Sequence, residues 1–335
     1  MDCTNKDLQR QVKKLRLVYG DCTLGVHGED FHYIFSYQYG GLESLVIDGR
    51  EWLYRTPKPT FWRATTDNDR GNKFPLRSGM WLGADMFIET IAVEIVVDGI
   101  QIELPLAPVN NQYTKDETAQ RLKIIYTYKT ITLPATEVVV AYEVSSCGEI
   151  EVKVQYYGKA DLPELPVFGI RFIMPTKAMG YRYEGLSGET YPDRMAGGIP
   201  GVYEIEGLPV TKYLVPQDCN VHMKTKWLEV YRNTTKDNSN QSSKTFGLRF
   251  SQANEEFAFT CLPYTAGELE NATHQEELPL ARRTVVCILG AVRGVGGIDS
   301  WGADVEADYH IDAGKDITYS FKISKAEIRH QRPVM

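Results

Sequence analysis

Acids, amides and arginines crowd into one short stretch of this chain, Pro59-Thr60-Phe61-Trp62-Arg63-Ala64-Thr65-Thr66-Asp67-Asn68-Asp69-Arg70-Gly71, directly behind two aromatics. Side chains of these types can form a hydrogen-bonded knot: Arg63 meets an Asp bidentately, Asp67 or Asn68 caps a turn, and Gly71 supplies a backbone conformation closed to other residues. Acids at this density also raise the question of catalysis. Glycoside hydrolysis needs two carboxyl groups flanking the scissile bond, one protonated as acid and one acting as nucleophile or base. The candidates are Asp67, Asp69, Glu184, Glu189, Asp193 and Asp299. Ion-paired structural knots, Asp67 with Arg63 and Asp193 with Arg194, explain these acids more simply, because a neighbouring arginine lowers a carboxyl pKa and spoils a general acid. No catalytic pair is recognisable.

An aromatic offers the other chemistry. Trp301 lies among Gly294, Gly296, Gly297 and Gly302, so its indole can be presented outward on a chain with few steric restrictions; the bland alternative is a buried core tryptophan. Asp299 and Ser300 read as braces of that loop through side-chain to backbone bonds, with Gly297 supporting the turn. Trp52, Trp62, Trp81 and Trp227 read as core or interface aromatics, Trp62 being a candidate partner contact. The six histidines show no metal-ligand spacing, and each reads as structural. Six cysteines, at positions 3, 22, 147, 219, 261 and 287, include no C-x-x-C pair, so reduced and mostly buried thiols are expected.

The stretch from Pro59 to Gly71 resembles the F-W-R-A-P-x-D-N-D-x-G signature that opens the C-terminal domain of the large bacterial β-galactosidases. In two-chain versions of that enzyme the domain is a separate small subunit. Further phrases follow in the family's order. Gly185-Leu186 with Glu189-Thr190-Tyr191-Pro192-Asp193-Arg194 is similar to G-L-G-x-x-E-x-Y-P-D-R, and Tyr213-Leu214-Val215-Pro216-Gln217-Asp218 to Y-x-x-P-x-E/D. Ala272-Thr273-His274 with Glu277-Leu278 resembles a later phrase, and Gly294-Val295-Gly296-Gly297-Ile298-Asp299-Ser300-Trp301 resembles G-x-G-G-x-D-S-W.

The resemblance implies a galactose-mutarotase-like β-supersandwich, with Arg63, Asp67, Asn68, Asp69, Tyr191, Asp193 and Arg194 as structural motif residues and Trp301 reaching the sugar. An indole face packs against the C-H face of galactose, or of the second sugar, while its N-H can donate to a hydroxyl or water. Both catalytic glutamates of the family sit on a TIM barrel, and no repeated βα pattern of about 250 residues is present here. The chain is therefore expected to complete the active site of a large catalytic subunit for retaining hydrolysis of lactose and other β-D-galactosides. No cofactor is assigned to it, and the Mg²⁺ and Na⁺ of the family are expected in the large subunit. Thr65 or Thr66 stands where the family often has proline, so a less rigid loop is expected there. Two alternatives stand beside this reading. A mutarotase-like epimerase needs a histidine and a carboxylate converging on the sugar ring, and a carbohydrate-binding module needs several exposed aromatics as a platform.

The elements that must position these residues are mostly strands. Phe31, Tyr33, Phe35, Tyr37 and Tyr39 alternate with more polar neighbours, as do Ile150, Val152, Val154 and Tyr156, and each run reads as a strand with one face on a core. Asp48-Gly49 and Asp98-Gly99 suit two-residue hairpins. Helix patterning is confined to Lys6–Leu17 and Leu76–Asp85, both weak. Arg232–Lys244 reads as a mobile hairpin loop. Many strands with no linker favour a mainly β fold of packed antiparallel sheets, with residues 1–20 as an N-terminal segment or linker and 21–330 as one domain. A chain of 335 residues, 43% hydrophobic and 24% charged, can bury a large core, and its net charge of -7 argues against nucleic-acid and anionic-membrane partners. The polar start has no signal-peptide character and no stretch approaches the roughly 18 apolar residues of a membrane span. A cytoplasmic location and a genuine N-terminus at Met1 are expected.

Overall fold

Period-two burial organises the molecule. In the strands Arg121–Lys129, Glu137–Ser145 and Ile150–Tyr156, every even-numbered residue points into the core, from Leu122 and Tyr128 through Val138 and Tyr142 to Val152 and Tyr156. Their odd-numbered neighbours mostly face outward, the pattern of an antiparallel sheet with one dry face. The computed structural model describes residues 13–104, 117–239, 242–299 and 302–327.

Among the described residues, the strands form three antiparallel sheets of ten, six and five strands. The ten-stranded sheet runs in the order Pro200–Glu206, Gly180–Leu186, Trp227–Arg232, Phe246–Gln252, Ile317–Lys325, Ile150–Tyr156, Glu137–Ser145, Arg121–Lys129, Glu89–Val97, Ile100–Ile102. Both smaller sheets cover the same face of it. Tyr142, Val152 and Phe321 stand opposite one another across the sheet. On that face, Tyr142 meets Phe35 of the six-stranded sheet at 5.6 Å, while Phe321 and Phe250 meet Phe172 of the five-stranded sheet at 6.1 and 5.1 Å. Apolar area removed from water between these faces is the main stabilising term. The result is the expected supersandwich.

The hairpins form as the turn residues require. Asp48 and Gly49, at φ 49° and 67°, join Gly41–Ile47 to Arg50–Glu51, and Asp98 and Gly99, at φ 49° and 85°, join Glu89–Val97 to Ile100–Ile102. Other expectations change. The Phe31 strand stops at Ser36, leaving Tyr39 60% exposed. Leu15–Tyr19, which the helix reading of Lys6–Leu17 covers in part, is a strand paired with Thr23–His27, so the expected boundary at residue 20 falls inside a hairpin; residues 6–12 lie outside the described residues. The Leu76–Asp85 helix shrinks to Phe74–Ser78 and one 3-10 turn, Gly79–Trp81.

Arg232 is not part of a loop. It ends the strand Trp227–Arg232 fully buried, donating to Glu51 O and Thr176 Oγ1 and lying 5.0 Å over the Trp52 ring. Cys219 and Cys261 are buried free thiols, Cys287 is half-buried and Cys22 exposed, whereas Cys147 is in a disulfide, which corrects the expectation of a reduced thiol there.

Candidate functional site

Four of the motif stretches come together at one end of the five-stranded sheet. Beyond the strand Arg55–Thr60, Phe61 is buried and stacks on Trp81 at 5.4 Å, which fixes the direction of the chain into Arg63. Trp62 is a core residue, only 6% exposed, stacked on Phe74 and donating to Glu270 at 3.3 Å. Thr66 then caps the short helix Asp67–Gly71: its hydroxyl accepts from Asp69 N at 3.1 Å, and the Asp69 carboxylate accepts from Thr66 N at 2.9 Å. That is a reciprocal capping box, which satisfies two backbone donors at a helix start. Thr65 donates through its N-H and its hydroxyl to Glu270, at 2.6 and 2.8 Å. The loop is therefore held firmly, against the expectation drawn from the missing proline. Either threonine position uses an N-H that proline lacks.

Arg63 does grip an aspartate with both nitrogens, and the partner is Asp69, at 2.7 and 3.3 Å. Asp67 is exposed and pairs with Arg70 at 3.1 Å instead. The cap is Thr66, not Asp67 or Asn68. Gly71 keeps a helical backbone, and the left-handed residue is Lys73 at φ 64°.

A second arginine, Arg293, closes the network. It is wholly buried, donates to Asp69 at 3.0 Å, to Glu164 and to Asp304, and lies 4.2 Å over the Phe74 ring. Two buried guanidiniums with their carboxylates compensate desolvation only because nearly every donor is used. Burial disfavours the Arg63 charge, but Asp69, Asp218 and Tyr191 outweigh it and hold its pKa above the ordinary value. Nothing in the motif phrases pointed to Arg293, Glu164 or Asp304. The available signal was a charged residue ending the apolar run Thr284–Val292, one position before Gly294.

This network and its neighbours clamp the glycine loop that follows. Arg63 donates to Gly294 O at 3.1 Å, and Asn68 Nδ2 donates to Val295 O at 3.0 Å. The Asp193 carboxylate accepts from Val295 N at 3.0 Å and from Gly296 N at 2.8 Å, and Arg194 donates to Gly296 O. Asp193 and Arg194 thus hold the loop rather than form the ion pair expected of them. Gly297 has φ 78° and sits so close to Asn68 that a Cβ there would lie 2.6 Å from Nδ2. Gly302, at φ 86°, packs on the Asp67–Gly71 helix, where a Cβ would come 2.8 Å from Gly71 O. Asp299 accepts from Ala303 N at 3.0 Å. Ser300 and Trp301 lie outside the described residues.

Beside the clamp is a cleft of about 390 Å³, lined among others by Asp67, Asn68, Glu189, Tyr191, Arg194, Tyr213, Gln217 and Asp218. Asp218 is only 7% exposed and accepts from Tyr191 Oη at 2.8 Å. Burial pushes the Asp218 carboxyl up to about 7, although Arg63 and the Tyr191 bond act the other way. Burial and then the Asp218 charge also hold the Tyr191 phenol well above its usual value. Glu189 accepts from Asn220 N at 2.6 Å. Glu184 does not line this cleft: it accepts from Lys226 and Trp227 at 2.9 and 2.7 Å, and those bonds lower its pKa. His222 is buried against Tyr181, Tyr183 and Phe259, with its pKa lowered to about 4 by burial, so it is a neutral core residue. His274 pairs with Glu277 on the surface, its neighbour Gln275 donating to Tyr213 O. Among the described residues no cluster of His, Cys, Asp and Glu has the geometry of a metal site.

The family model for the β-galactosidase small chain matches residues 27–323. A β-galactosidase small subunit from Latilactobacillus sakei is 61% identical over 312 residues, covering 93% of this chain and 98% of that one. The chain belongs to the β-galactosidase small-chain family. Small chains of this family pair with a large subunit, and two longer relatives show the proportion of the whole. The β-galactosidases of Halalkalibacterium halodurans and Streptococcus thermophilus are each 31% identical over 93% and 92% of this chain, yet the match covers only 28% and 27% of their lengths. This small chain therefore spans about a quarter of those relatives. Among solved structures, a galactose mutarotase-related enzyme from Lactobacillus acidophilus aligns over 91% of this chain and 97% of its own at 11% identity with a TM-score of 0.40. A likeness of that size carries no argument about activity. No helix among the described residues is long and apolar enough to cross a membrane.

Proposed function

We propose that this chain is the non-catalytic subunit of a two-chain β-galactosidase, completing the active site of a separate TIM-barrel subunit by presenting the loop that carries Trp301 to the sugar. The observation that carries this reading is the clamp: residues from two distant motif stretches, Arg63 and Asn68 of one and Asp193 and Arg194 of the other, converge on the backbone of Gly294 to Gly296. A loop held so tightly at its base suits the placing of one side chain against a ligand, because the ordering cost is met before binding. The substrate is lactose or another β-D-galactoside, hydrolysed with retention by carboxylates of the large subunit. This chain binds no cofactor of its own, Mg²⁺ and Na⁺ belonging to the large subunit, and it works in the cytoplasm without nucleic-acid or membrane partners. His222 is packed among aromatics, so it is not the sugar-facing histidine that the epimerase alternative needs.

The test is complementation. Each chain is assayed alone and mixed, with a chromogenic galactoside and with lactose; activity is expected only in the mixture, and turnover by this chain alone would refute the reading. In the mixture, Trp301→Ala is expected to lower kcat/KM by one to two decades, on the order of 1.4 to 2.8 kcal/mol, with little change in Tm. A large fall in Tm with unchanged kinetics would make Trp301 structural.

A further inference from the structure

We propose that the apolar face formed by Leu76, Met80, Leu82, Met86, Phe87 and Leu133 is the surface on which the large catalytic subunit docks, an inference that rests on the small-subunit reading. These side chains are 82%, 42%, 52%, 71%, 62% and 80% exposed. Five of them fall within the short segment 76–87, and Leu133 meets that segment at Met80. Met86 and Phe87 both pack beside Gly83, within 3.1 and 4.0 Å of where a Cβ would stand, and the Leu133 N-H lies 3.4 Å from Met80 Sδ. Large apolar side chains concentrated in one exposed patch mark an interaction surface, because each loses free energy by remaining in water.

The patch is preformed. Trp81 and Ala84, interleaved with the exposed residues, are fully buried, and the Trp81 ring donates to Pro163 O at 2.8 Å. Its neighbouring charges are already neutralised within the chain: Arg77 pairs with Asp304 and Asp85 with Arg171, both at 2.5 Å. An apolar partner surface fits such a face, since no ion has to be stripped of water unpaired.

Two observations identify the occupant. The longer relatives carry the matching segment as 28% and 27% of one polypeptide, so in them the remaining three quarters is available to cover it, and a separate small chain must regain that cover by association. The patch also begins at the base of the clamped loop. Asp304 binds Arg77, Asn72 and Arg293 together, and Phe74, on the same short helix as Leu76, lies under Arg293. A subunit whose sugar site meets the Trp301 loop reaches this face in the same approach. Obligate interfaces of this kind bury upward of roughly 2,000 Å² in total and are rich in apolar side chains.

The experiment uses the full-length double variant Leu76→Asp, Met86→Asp and the separately produced large subunit. Sedimentation at a series of concentrations reads the Kd, and Tm of each small chain alone reads folding. The expected result is a Tm within a few degrees of the unmodified chain and a Kd raised at least about 100-fold, with activity recovered at high concentration. An unchanged Kd, while the unmodified chains assemble and turn over galactoside, overturns the surface and leaves the small-subunit reading standing. Failure of the unmodified chains to assemble refutes that reading and the surface with it. Loss of a self-dimer in the variant with binding of the large subunit intact shows that a second copy covers the face, and overturns the proposal. Should the variant not fold, hydrogen exchange on the unmodified complex decides: protection of residues 79–88 and 130–133 on assembly supports the surface, and unchanged exchange there refutes it.

Discussion

Two polar loops of this chain look alike locally and behave as opposites in the fold. The segment after Arg293 and the segment after Arg232 each follow an apolar strand that ends in a buried arginine, and each is rich in small or polar residues. After Arg293 the backbone is bonded to Arg63, Asn68, Asp193 and Arg194, residues 100 or more positions away. After Thr234 the bonds close on near neighbours, Asp237 with Thr235 and Ser239 with Asp237. Their carboxyls move in opposite directions as well. Burial raises Asp218 beside the first loop, whereas hydrogen bonds from Ser239 lower the exposed Asp237 of the second. Small polar residues make a loop possible; distant partners make it rigid.

The contrast is most severely tested at Arg293. Arg293→Met leaves Asp69, Glu164 and Asp304 without their shared cation in a buried site, and a loss of roughly 3 to 5 kcal/mol is expected in denaturant unfolding. A loss below 1 kcal/mol would mean that the network relaxes around water and that the clamp is not built on it.

Asp218 gives the next largest effect, and its sign is fixed. Its carboxyl is held protonated in the fold up to about pH 7 but ionises near 3.8 when unfolded. Between those values the native state binds the extra proton, so stability from this group is full below pH about 4 and fades as pH rises to 7. Relative to Asp218→Asn, the parent chain should lose on the order of 2 to 4 kcal/mol across that window. Parallel stability-pH curves for the two proteins would contradict the buried, neutral carboxyl.

Gly297→Ala probes the loop directly. A left-handed alanine costs about 1 to 2 kcal/mol, and its methyl would push Asn68 off Val295 O. The assembled enzyme should lose activity more than the isolated chain loses stability; the reverse ordering would make the clamp a stability element alone. At the other extreme, removing residues 237–243 while keeping Arg232 should change stability by less than about 0.5 kcal/mol and leave complementation intact. Lost activity in a folded deletion would place that loop at the partner or the sugar.

Much of the fold was legible from local pattern. The alternation from Ile150 to Tyr156 and the Asp-Gly turns at 48–49 and 98–99 report period and backbone handedness, which neighbouring residues set. The end of the Phe31 strand was not legible, because Tyr37 and Tyr39 continue the alternation in sequence while the strand they belong to stops at Ser36. Leu15–Tyr19 carried no clear strand signal, since what makes it a strand is its pairing with Thr23–His27 and Thr118–Ala119.

At the site the same division holds. The residue types in Phe61–Gly71 and Glu189–Arg194 announced a hydrogen-bonded knot, and a bidentate Arg63 followed from guanidinium geometry. Which aspartate it meets did not follow, because Asp67 and Asp69 stand near Arg63 in sequence and only the helix started by Thr66 turns Asp69 inward and Asp67 out to water. The sequence alone was enough to name the strand at Ile150–Tyr156, the two Asp-Gly turns and the chemistry available. The partners of Arg293, the raised carboxyl of Asp218 and the grip of Asp193 on a loop 102 residues away arise from burial and long-range contact, quantities that exist only once the sheets have closed.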